Sequence, residues 1–149
     1  MRLVVQRVKS ASVEVDESII GEIEAGLLVY LGIGADDEQS DINYLVDKLL
    51  DLRIFSKEGK MDLSATDVIA DLLIVPEFTL YGSCHEGRRP DFSQAAGINE
   101  ARKLYEKFIA TLKNKTELKV ATGKFQAHMD VESINDGPVT MLIESKKRF

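Results

Sequence analysis

Cysteine and histidine are scarce in this chain of 149 residues. Cys84 is the single cysteine, and His85 and His128 are the two histidines. One cysteine excludes an internal disulfide, and three such residues are too few for a Cys/His zinc cluster. We therefore expect neither a metal site nor a metal-dependent reaction.

Long apolar runs and nucleotide-binding motifs are missing as well. No apolar stretch approaches the ~18 residues that span a bilayer, and the first residues alternate like a strand instead of forming a secretion signal. Gly32 and Gly34 lack the third glycine of a dinucleotide fingerprint, and no phosphate-binding loop motif occurs. These absences predict a cytoplasmic protein with no cofactor and no membrane partner.

The composition is that of an ordinary globular domain, with 44% apolar and 30% charged residues. The formal net charge of -6 argues against indiscriminate nucleic-acid binding, and DNA is not an expected partner. Residues 1–84 hold 7 Lys and Arg against 16 Asp and Glu, whereas residues 85–149 hold 12 against 9. The second half therefore has enough cations for a local basic face, unless these are ordinary solvated charges.

Apolar periodicity predicts an antiparallel meander followed by two main helices. Polar turns at 16–18 and 24–26 separate three apolar segments of strand type. Asp36, Asp37 and Ser40 are N-cap candidates for the first helix, and Asn99 is the candidate for the second. The apolar stripes of the two helices are formed by Ile42, Leu45, Val46, Leu49 and Leu50, and by Ala101, Leu104, Tyr105, Phe108, Ile109 and Leu112.

Further strands are predicted in "VIADLLIVPEFTLYG", "ELKVATG", "KFQAHMDVESI" and "VTMLIES", with a polar loop at "SKEGKMDLS". Proline inside a strand is confined to edges, strand starts and bulges, so we expect an irregular ladder at Pro76-Glu77. The predicted fold class is mixed α/β (α+β), a single domain over residues 1–149 with about seven strands and two main helices.

Side chains that could act as nucleophile or base have little support. Cys84 and His85 are neighbours in an extended segment, so they point in opposite directions. His128 falls on the polar face of a predicted strand, without a partner that indicates a general base. In "GRRPDF", Arg88 and Arg89 can grip phosphates and Phe92 can stack on a base, or the loop is solvated and anchored by Phe92.

Several segments together resemble one family, the D-aminoacyl-tRNA deacylases, also called D-tyrosyl-tRNA deacylases. They are "QRV" with "SVEVD", "EFTLYG" with "GRRPDFSQAA", and "NDGPVT" at residues 135–140. The likeness also includes "GLLVYLGIG", "LRIF" and "GKMDLS", so it runs nearly from end to end. It implies a curved, barrel-like, largely antiparallel sheet and a D-aminoacyl-tRNA deacylase-like fold.

The resemblance further implies a homodimer with active sites at the interface, each cavity receiving the cis Gly137-Pro138 peptide of the other subunit. Arg7 would hold that loop, and Phe78 and Thr79 would line the cavity. Met129 and Asn135 would support the cavity. Pro76 and Glu77 would lie in the substrate-binding segment. Arg88 and Arg89 would bind the tRNA, together with Lys103 and Lys107.

The implied reaction is hydrolysis of the ester bond of D-aminoacyl-tRNA, with glycyl-tRNA as a further candidate substrate. The ester is already activated and the neighbouring ribose hydroxyl can assist water, so backbone N–H groups of Phe78 and Thr79 can suffice as an oxyanion hole. Carbonyl groups flanking Pro138 would hold the α-amino group, and the backbone would reject L side chains by collision. Thr79 as a covalent nucleophile has no evident base nearby in the sequence.

One departure from the family is the pair Pro76-Glu77, where Ser-Gln is usual. Pro76 removes a hydroxyl and a backbone donor, and Glu77 replaces an amide with an anion. Glu77 can pair with the substrate ammonium, pair with Arg7, or face solvent. Two alternatives stay open: an L-alanine-specific deacylase with a trans Gly-Pro bond, and a catalytically impaired tRNA-binding dimer.

Overall fold

The computed structural model describes residues 1–148, which form eight strands, three α-helices and a short 3-10 turn at Phe78–Tyr81. The helices are α1 (Gln39–Asp51), α2 (Ala65–Val68) and α3 (Ile98–Lys115). The strands are β1 (Arg2–Val15), β2 (Ser18–Ile23), β3 (Gly26–Gly32), β4 (Phe55–Lys57), β5 (Lys60–Leu63), β6 (Asp71–Pro76), β7 (Val120–Thr122) and β8 (Asp130–Glu144). None of these helices is both long and apolar enough to cross a membrane.

The long strand β1 organises the main sheet. It pairs antiparallel with β8 along one edge, and with β3 and then β2 along the other. Two parallel pairings, β3 with β6 and β6 with β7, complete the order β2-β1-β3-β6-β7. The antiparallel pairings of β1 with β2, β3 and β8 confirm the largely antiparallel sheet. The predicted meander was wrong, because β2 and β3 both pair with β1 and not with each other.

The sheet curls until its two outer strands meet. A Cβ added to Gly21 of β2 would lie 2.8 Å from the carbonyl oxygen of Thr122 in β7, so the two backbones are in close approach. Glycine permits this contact because it has no side chain. The result is the nearly closed, barrel-like sheet that the resemblance implies.

Apolar side chains form one cluster on each face of this sheet. The larger cluster packs α1 and α3 against the outer face through residues at helical spacing, such as Leu45 and Phe108, both fully buried. The smaller cluster fills the concave face and includes Val8, Leu73 and Val75. The cavity described below opens beside the smaller cluster.

Several local predictions were wrong. The segment predicted as a polar loop forms the β4–β5 hairpin around Gly59. The helix N-caps are Glu38 and Gly97 instead of Asp36, Asp37, Ser40 or Asn99. Glu38 is favoured because its backbone N–H donates to Asp41 Oδ2 at 2.8 Å.

The last two predicted strands are one continuous strand. Residues 124–129, the first part of "KFQAHMDVESI", are irregular, and β8 starts at Asp130 and runs through the Asn-Asp-Gly-Pro segment to Glu144. Pairing with β1 is interrupted opposite Arg7 and resumes on both sides of it. The turn-forming residues therefore make a bulge inside a strand, not a connection between strands.

A buried carboxylate lies near the end of β8. Glu144 Oε1 accepts a hydrogen bond from Arg2 Nε at 3.0 Å, and Glu144 Oε2 accepts one from the Arg148 backbone N–H at 2.7 Å. Burial acts to raise the pKa of Glu144, but these two hydrogen bonds and the positive charges of Arg2 and Arg148 together outweigh it, so the pKa lies below its usual value. The ionised form of Glu144 thus contributes to stability.

Candidate active site

A cavity of about 660 Å³ opens where β6 ends. The segment Pro76–Thr79 forms one wall, and Met129 and Val131 lie on another. Most of the lining side chains are apolar, as in many small-molecule sites, whose volumes are commonly ~300–1,000 Å³. Five predicted site residues therefore share one concave surface: Pro76, Glu77, Phe78, Thr79 and Met129.

The backbone of the Pro76–Thr79 wall is fixed by its connection to the sheet. The Glu77 N–H donates to the Leu31 carbonyl at 2.9 Å, and the Glu77 carbonyl accepts from the Leu80 N–H at 3.5 Å. The hydrogen bond from Leu80 to Glu77 is the first of the 3-10 turn. The N–H groups of Phe78 and Thr79 come before Leu80 in the chain, so they have no acceptor within the turn. The ladder with β3 is regular up to Pro76 and ends there, so the chain leaves the regular ladder around Pro76-Glu77 as predicted.

The side chains of Glu77 and Thr79 are hydrogen-bonded to each other. Thr79 Oγ1 donates to Glu77 Oε1 at 2.7 Å. The expectation that Thr79 lacks a nearby base was therefore wrong, because the two side chains protrude from the same side of a tight turn. The negative charge of Glu77 also reaches Tyr30, whose pKa is raised mainly by burial and further by this charge.

The side chains of Met129 and Pro76 both lie close to Gly123. A Cβ added to Gly123 would lie 2.8 Å from Met129 Sδ and 3.2 Å from Pro76 Cδ, so both groups crowd this glycine. The Lys124 N–H also contacts Met129 Sδ at 3.4 Å. The irregular segment 124–129 is thereby folded onto the end of β6.

Sequence reasoning missed three polar residues of the cavity, Tyr30, Gln126 and His128. Tyr30 lies in "LLVYLGI", which the pattern predicts as buried, yet it is only half-buried. His128 was placed on the face of a predicted strand, whereas it follows a turn and is exposed at the cavity. No local signal reveals these positions, because they depend on the packing of segment 124–129.

Asn135, Gly137 and Pro138 form a second cluster, within the bulge of β8. Asn135 Oδ1 accepts from the Val139 N–H at 2.7 Å, and Asn135 Nδ2 donates to the Val139 carbonyl at 3.3 Å. These two bonds close a short loop whose tip, Gly137-Pro138, is exposed and whose peptide bond is cis. Val139 is buried, so the loop is anchored immediately behind its tip.

Arg7 connects this loop to the segment after α1. Its Nε donates to the Asp136 carbonyl at 3.0 Å and lies 3.3 Å from the Asp136 carboxylate, while Nη1 donates to the Ile54 carbonyl at 2.5 Å. Arg7 is 9% exposed, and its guanidinium thus joins the loop to the segment after α1. The pairing of Glu77 with Arg7 that the sequence left open is not formed within this chain, because Arg7 is engaged elsewhere.

Arg88 and Arg89 lie apart from both clusters, in an exposed loop closed by the bridge between Ser83 and Asp91. Phe92 packs edge-to-face on Phe78, with 5.0 Å between ring centroids. Phe92 therefore anchors the loop to the cavity wall, while Arg88 and Arg89 are exposed and form no ion pair within residues 1–148.

Two clusters thus contain the predicted catalytic and substrate-binding residues, and a single chain does not join them. Arg7, Asn135, Gly137 and Pro138 do not line the cavity that contains Pro76–Thr79 and Met129. Residues 1–148 contain no group of three or more His, Cys, Asp or Glu side chains able to hold a metal ion.

Comparisons with known proteins agree over almost the whole chain. A family model described as "D-Tyr-tRNA(Tyr) deacylase" matches residues 4–144. The D-aminoacyl-tRNA deacylase of Thermosipho africanus is 56% identical over an alignment of 150 positions that covers 100% of both chains. The protein of the same name from Clostridioides difficile is 55% identical, with the same coverage.

Two solved structures are also similar. One, titled "c-Myc DNA Unwinding Element Binding Protein", is 39% identical, with a TM-score of 0.92, and the match covers 97% of this chain and 98% of that one. Another, titled "Structural Analysis of a probable eukaryotic D-amino acid tRNA deacylase", is 20% identical with a TM-score of 0.83 over 96% and 98% of the two chains, and it supports the fold.

These matches define the enzyme class as a carboxylic ester hydrolase acting on aminoacyl-tRNA. The chain belongs to the D-aminoacyl-tRNA deacylase family. The resemblance seen in the sequence is therefore confirmed.

Proposed function

We propose that this chain hydrolyses the ester bond between a D-amino acid and tRNA, as a homodimer in the cytoplasm. The observation that carries the proposal is the cavity at the end of β6, whose wall Pro76–Thr79 includes Phe78 and Thr79 of the family-like segment "EFTLYG". Its apolar lining suits an amino-acid side chain, and its open mouth suits the terminal nucleoside that carries the ester. Glycyl-tRNA is a second substrate in this proposal, because glycine has no side chain to reject.

In the proposed reaction a water oxygen attacks the ester carbonyl. The carbonyl oxygen becomes an oxyanion that accepts hydrogen bonds from the N–H groups of Phe78 and Thr79, and the ribose oxygen then leaves with a proton. The neighbouring ribose hydroxyl orients the water. Removing one oxyanion donor typically costs ~10²–10³ in rate, so backbone donors can supply much of the catalysis without a side-chain nucleophile.

Selection of D over L substrates is assigned to the Gly137-Pro138 tip of the partner subunit. The tip is exposed and does not line its own cavity, which supports entry into a second copy. Large exposed apolar side chains also support association: Phe78 is 60% exposed, Ile134 56% and Leu142 63%. Carbonyl groups beside Pro138 would hold the α-amino group and leave no room for an L side chain.

Contact with the tRNA is assigned to the second half of the chain, where cations outnumber anions. Arg88 and Arg89 are exposed on the loop that Phe92 anchors beside the cavity, and Lys103 and Lys107 are exposed on α3. Cations of this kind bind phosphates without reading the base sequence. Binding should therefore weaken as salt is added.

A deacylation assay tests the proposed function. Purified protein is incubated with D-Tyr-tRNA and with L-Tyr-tRNA, and release of the amino acid is followed while sedimentation gives the oligomeric state. Preferential release of D-tyrosine by a dimer is expected. Release of L amino acids instead would favour the L-specific alternative, and tRNA binding without cleavage would favour the impaired binding dimer.

A further inference from the structure

Glu77 occupies a fixed position in the wall of the cavity. Both its N–H and its carbonyl are hydrogen-bonded, to Leu31 and Leu80, so its backbone cannot easily turn the side chain away. Glu77 is half-buried and lines the cavity directly before Phe78 and Thr79, which carry the proposed oxyanion donors. A carboxylate thus lies next to the place assigned to the ester carbonyl.

The carboxylate of Glu77 has no cationic partner among residues 1–148. It forms no ion pair there, no Lys or Arg lines the cavity, and Arg7 is engaged by Ile54 and Asp136. Its hydrogen-bond donor is the neutral hydroxyl of Thr79, which occupies Oε1. A carboxylate has two oxygens and about four acceptor sites, so Oε2 is left for a ligand.

We propose that Glu77 binds the protonated α-amino group of the aminoacyl ester, and that this chain thereby favours esters with a free amine over N-acylated ones. The inference rests on the proposed function and names the group that the cavity recognises. An α-ammonium is the cation that every free aminoacyl group carries, and it is attached to the carbon next to the ester carbonyl. Charge-assisted hydrogen bonds to carboxylates are about twice as strong as neutral ones.

This binding mode would place two neighbouring groups of the substrate against consecutive residues of the protein. One N–H of the ammonium would donate to Glu77, and its other N–H groups would be left for the carbonyl groups beside the partner's Pro138. The ester carbonyl oxygen would face the N–H groups of Phe78 and Thr79. The hydrogen bond from Thr79 fixes the carboxylate in the direction of the cavity. N-acylation removes the positive charge, so an N-blocked ester would leave the carboxylate without a partner.

The test compares two substrates across matched variants. kcat/KM is measured for D-Tyr-tRNA and for N-acetyl-D-Tyr-tRNA, with the wild-type chain, Glu77→Gln and Glu77→Asp. We expect the preference for the free amine to fall by roughly 5- to 20-fold in Glu77→Gln, from the usual strength of partly buried charge pairs. Glu77→Asp keeps the charge and should retain part of the preference.

The acetyl group also adds bulk, but its steric effect on kcat/KM is expected to be the same for every variant. It therefore cancels when the preferences of two variants are compared. Glu106→Gln is the control, since it makes the same change in net charge at an exposed position of α3 outside the cavity. It should leave the preference unchanged. Equal preference in the wild-type chain and in Glu77→Gln would overturn the inference and leave the proposed function standing.

A binding measurement separates the two proposals. Calorimetry is carried out with D-tyrosyl-3'-aminoadenosine, which has an amide in place of the ester, and with its N-acetyl derivative. Amine-dependent binding that is lost in Glu77→Gln would support the inference, whether or not the wild-type chain cleaves the ester. Failure of the wild-type chain to cleave the ester would refute the proposed function alone. Absence of amine-dependent binding in the wild-type chain would overturn the inference.

Discussion

Replacing Arg7 by Met would remove the guanidinium that ties the Gly137-Pro138 loop to the rest of the molecule. Methionine keeps a long apolar stem in the same buried space, so the change is chiefly a loss of hydrogen-bond donors. Two backbone carbonyls lose their donor, at Ile54 and at Asp136, and the Asp136 carboxylate loses its ion partner.

The expected cost follows from how exposed each acceptor is. The Ile54 carbonyl accepts a buried hydrogen bond, and leaving such a group without a donor costs ~1–3 kcal/mol. The Asp136 carbonyl is partly buried and water can partly replace Arg7 there, at a cost of ~0.5–1.5 kcal/mol. The Asp136 carboxylate is 45% exposed, so its ion pair contributes only ~0–1 kcal/mol. Together these give a loss of about 1.5–5.5 kcal/mol.

Urea denaturation at one fixed protein concentration measures this loss, since an associating protein has a concentration-dependent stability. Asp136→Asn is the matched control, because it keeps both backbone acceptors and removes only the ion pair, so it should cost less than ~1 kcal/mol. Equal losses in Arg7→Met and Asp136→Asn would refute the reasoning. A loss below ~1 kcal/mol in Arg7→Met would do so as well.

Three other predictions concern the cavity, the loop and the buried carboxylate. Thr79→Ala should slow D-Tyr-tRNA hydrolysis by less than about tenfold, because alanine keeps the backbone donor, whose loss costs ~10²–10³; abolished activity in a folded variant would indicate a nucleophile. Gly137→Ala should reduce hydrolysis strongly, because Gly137 has φ +146° and an added Cβ would lie 2.7 Å from Val139 Cγ2. Unchanged kcat/KM would show that the loop geometry does not matter. Glu144 has a lowered pKa, so its stabilising effect is present above the unfolded pKa of ~4.3 and disappears as the pH falls through the folded pKa. The stability difference between the wild-type chain and Glu144→Gln should therefore shrink in acid, and a difference independent of pH in urea titrations would contradict this.

Strong apolar periodicity made the large elements predictable. The stripe that includes Leu45 and Leu49 is buried on α1 as expected, and the three apolar segments at the start of the chain form strands as predicted. Their order was not predicted, because the long strand β1 pairs with β2 and β3 at different parts of its length. The β4–β5 hairpin escaped prediction because its strands have only three and four residues and most of them are exposed. Turn-forming residues at 135–138 also suggested a break where pairing with β1 keeps a single strand.

The site was predictable to the extent that family-like segments contain it. Pro76–Thr79 and Met129 line one cavity as the resemblance implies, although their individual roles and the dimer stay predictions. The hydrogen bond from Thr79 to Glu77 and the position of His128 could not be predicted, because they depend on how a 3-10 turn and an irregular segment pack in space.

The bulge in β8 constrains the number of residues around the Gly137-Pro138 tip, and not only their identity. Both arms of β8 pair with the same strand, with Asn135 opposite Val8 and Thr140 opposite Gln6. A single inserted or deleted residue in either arm would exchange the two faces of that arm, since strand side chains alternate. In the second arm this would turn the buried Val139 or Glu144 outward. Attempts to redesign the specificity of this enzyme should therefore exchange residues at a constant count between Asp130 and Glu144.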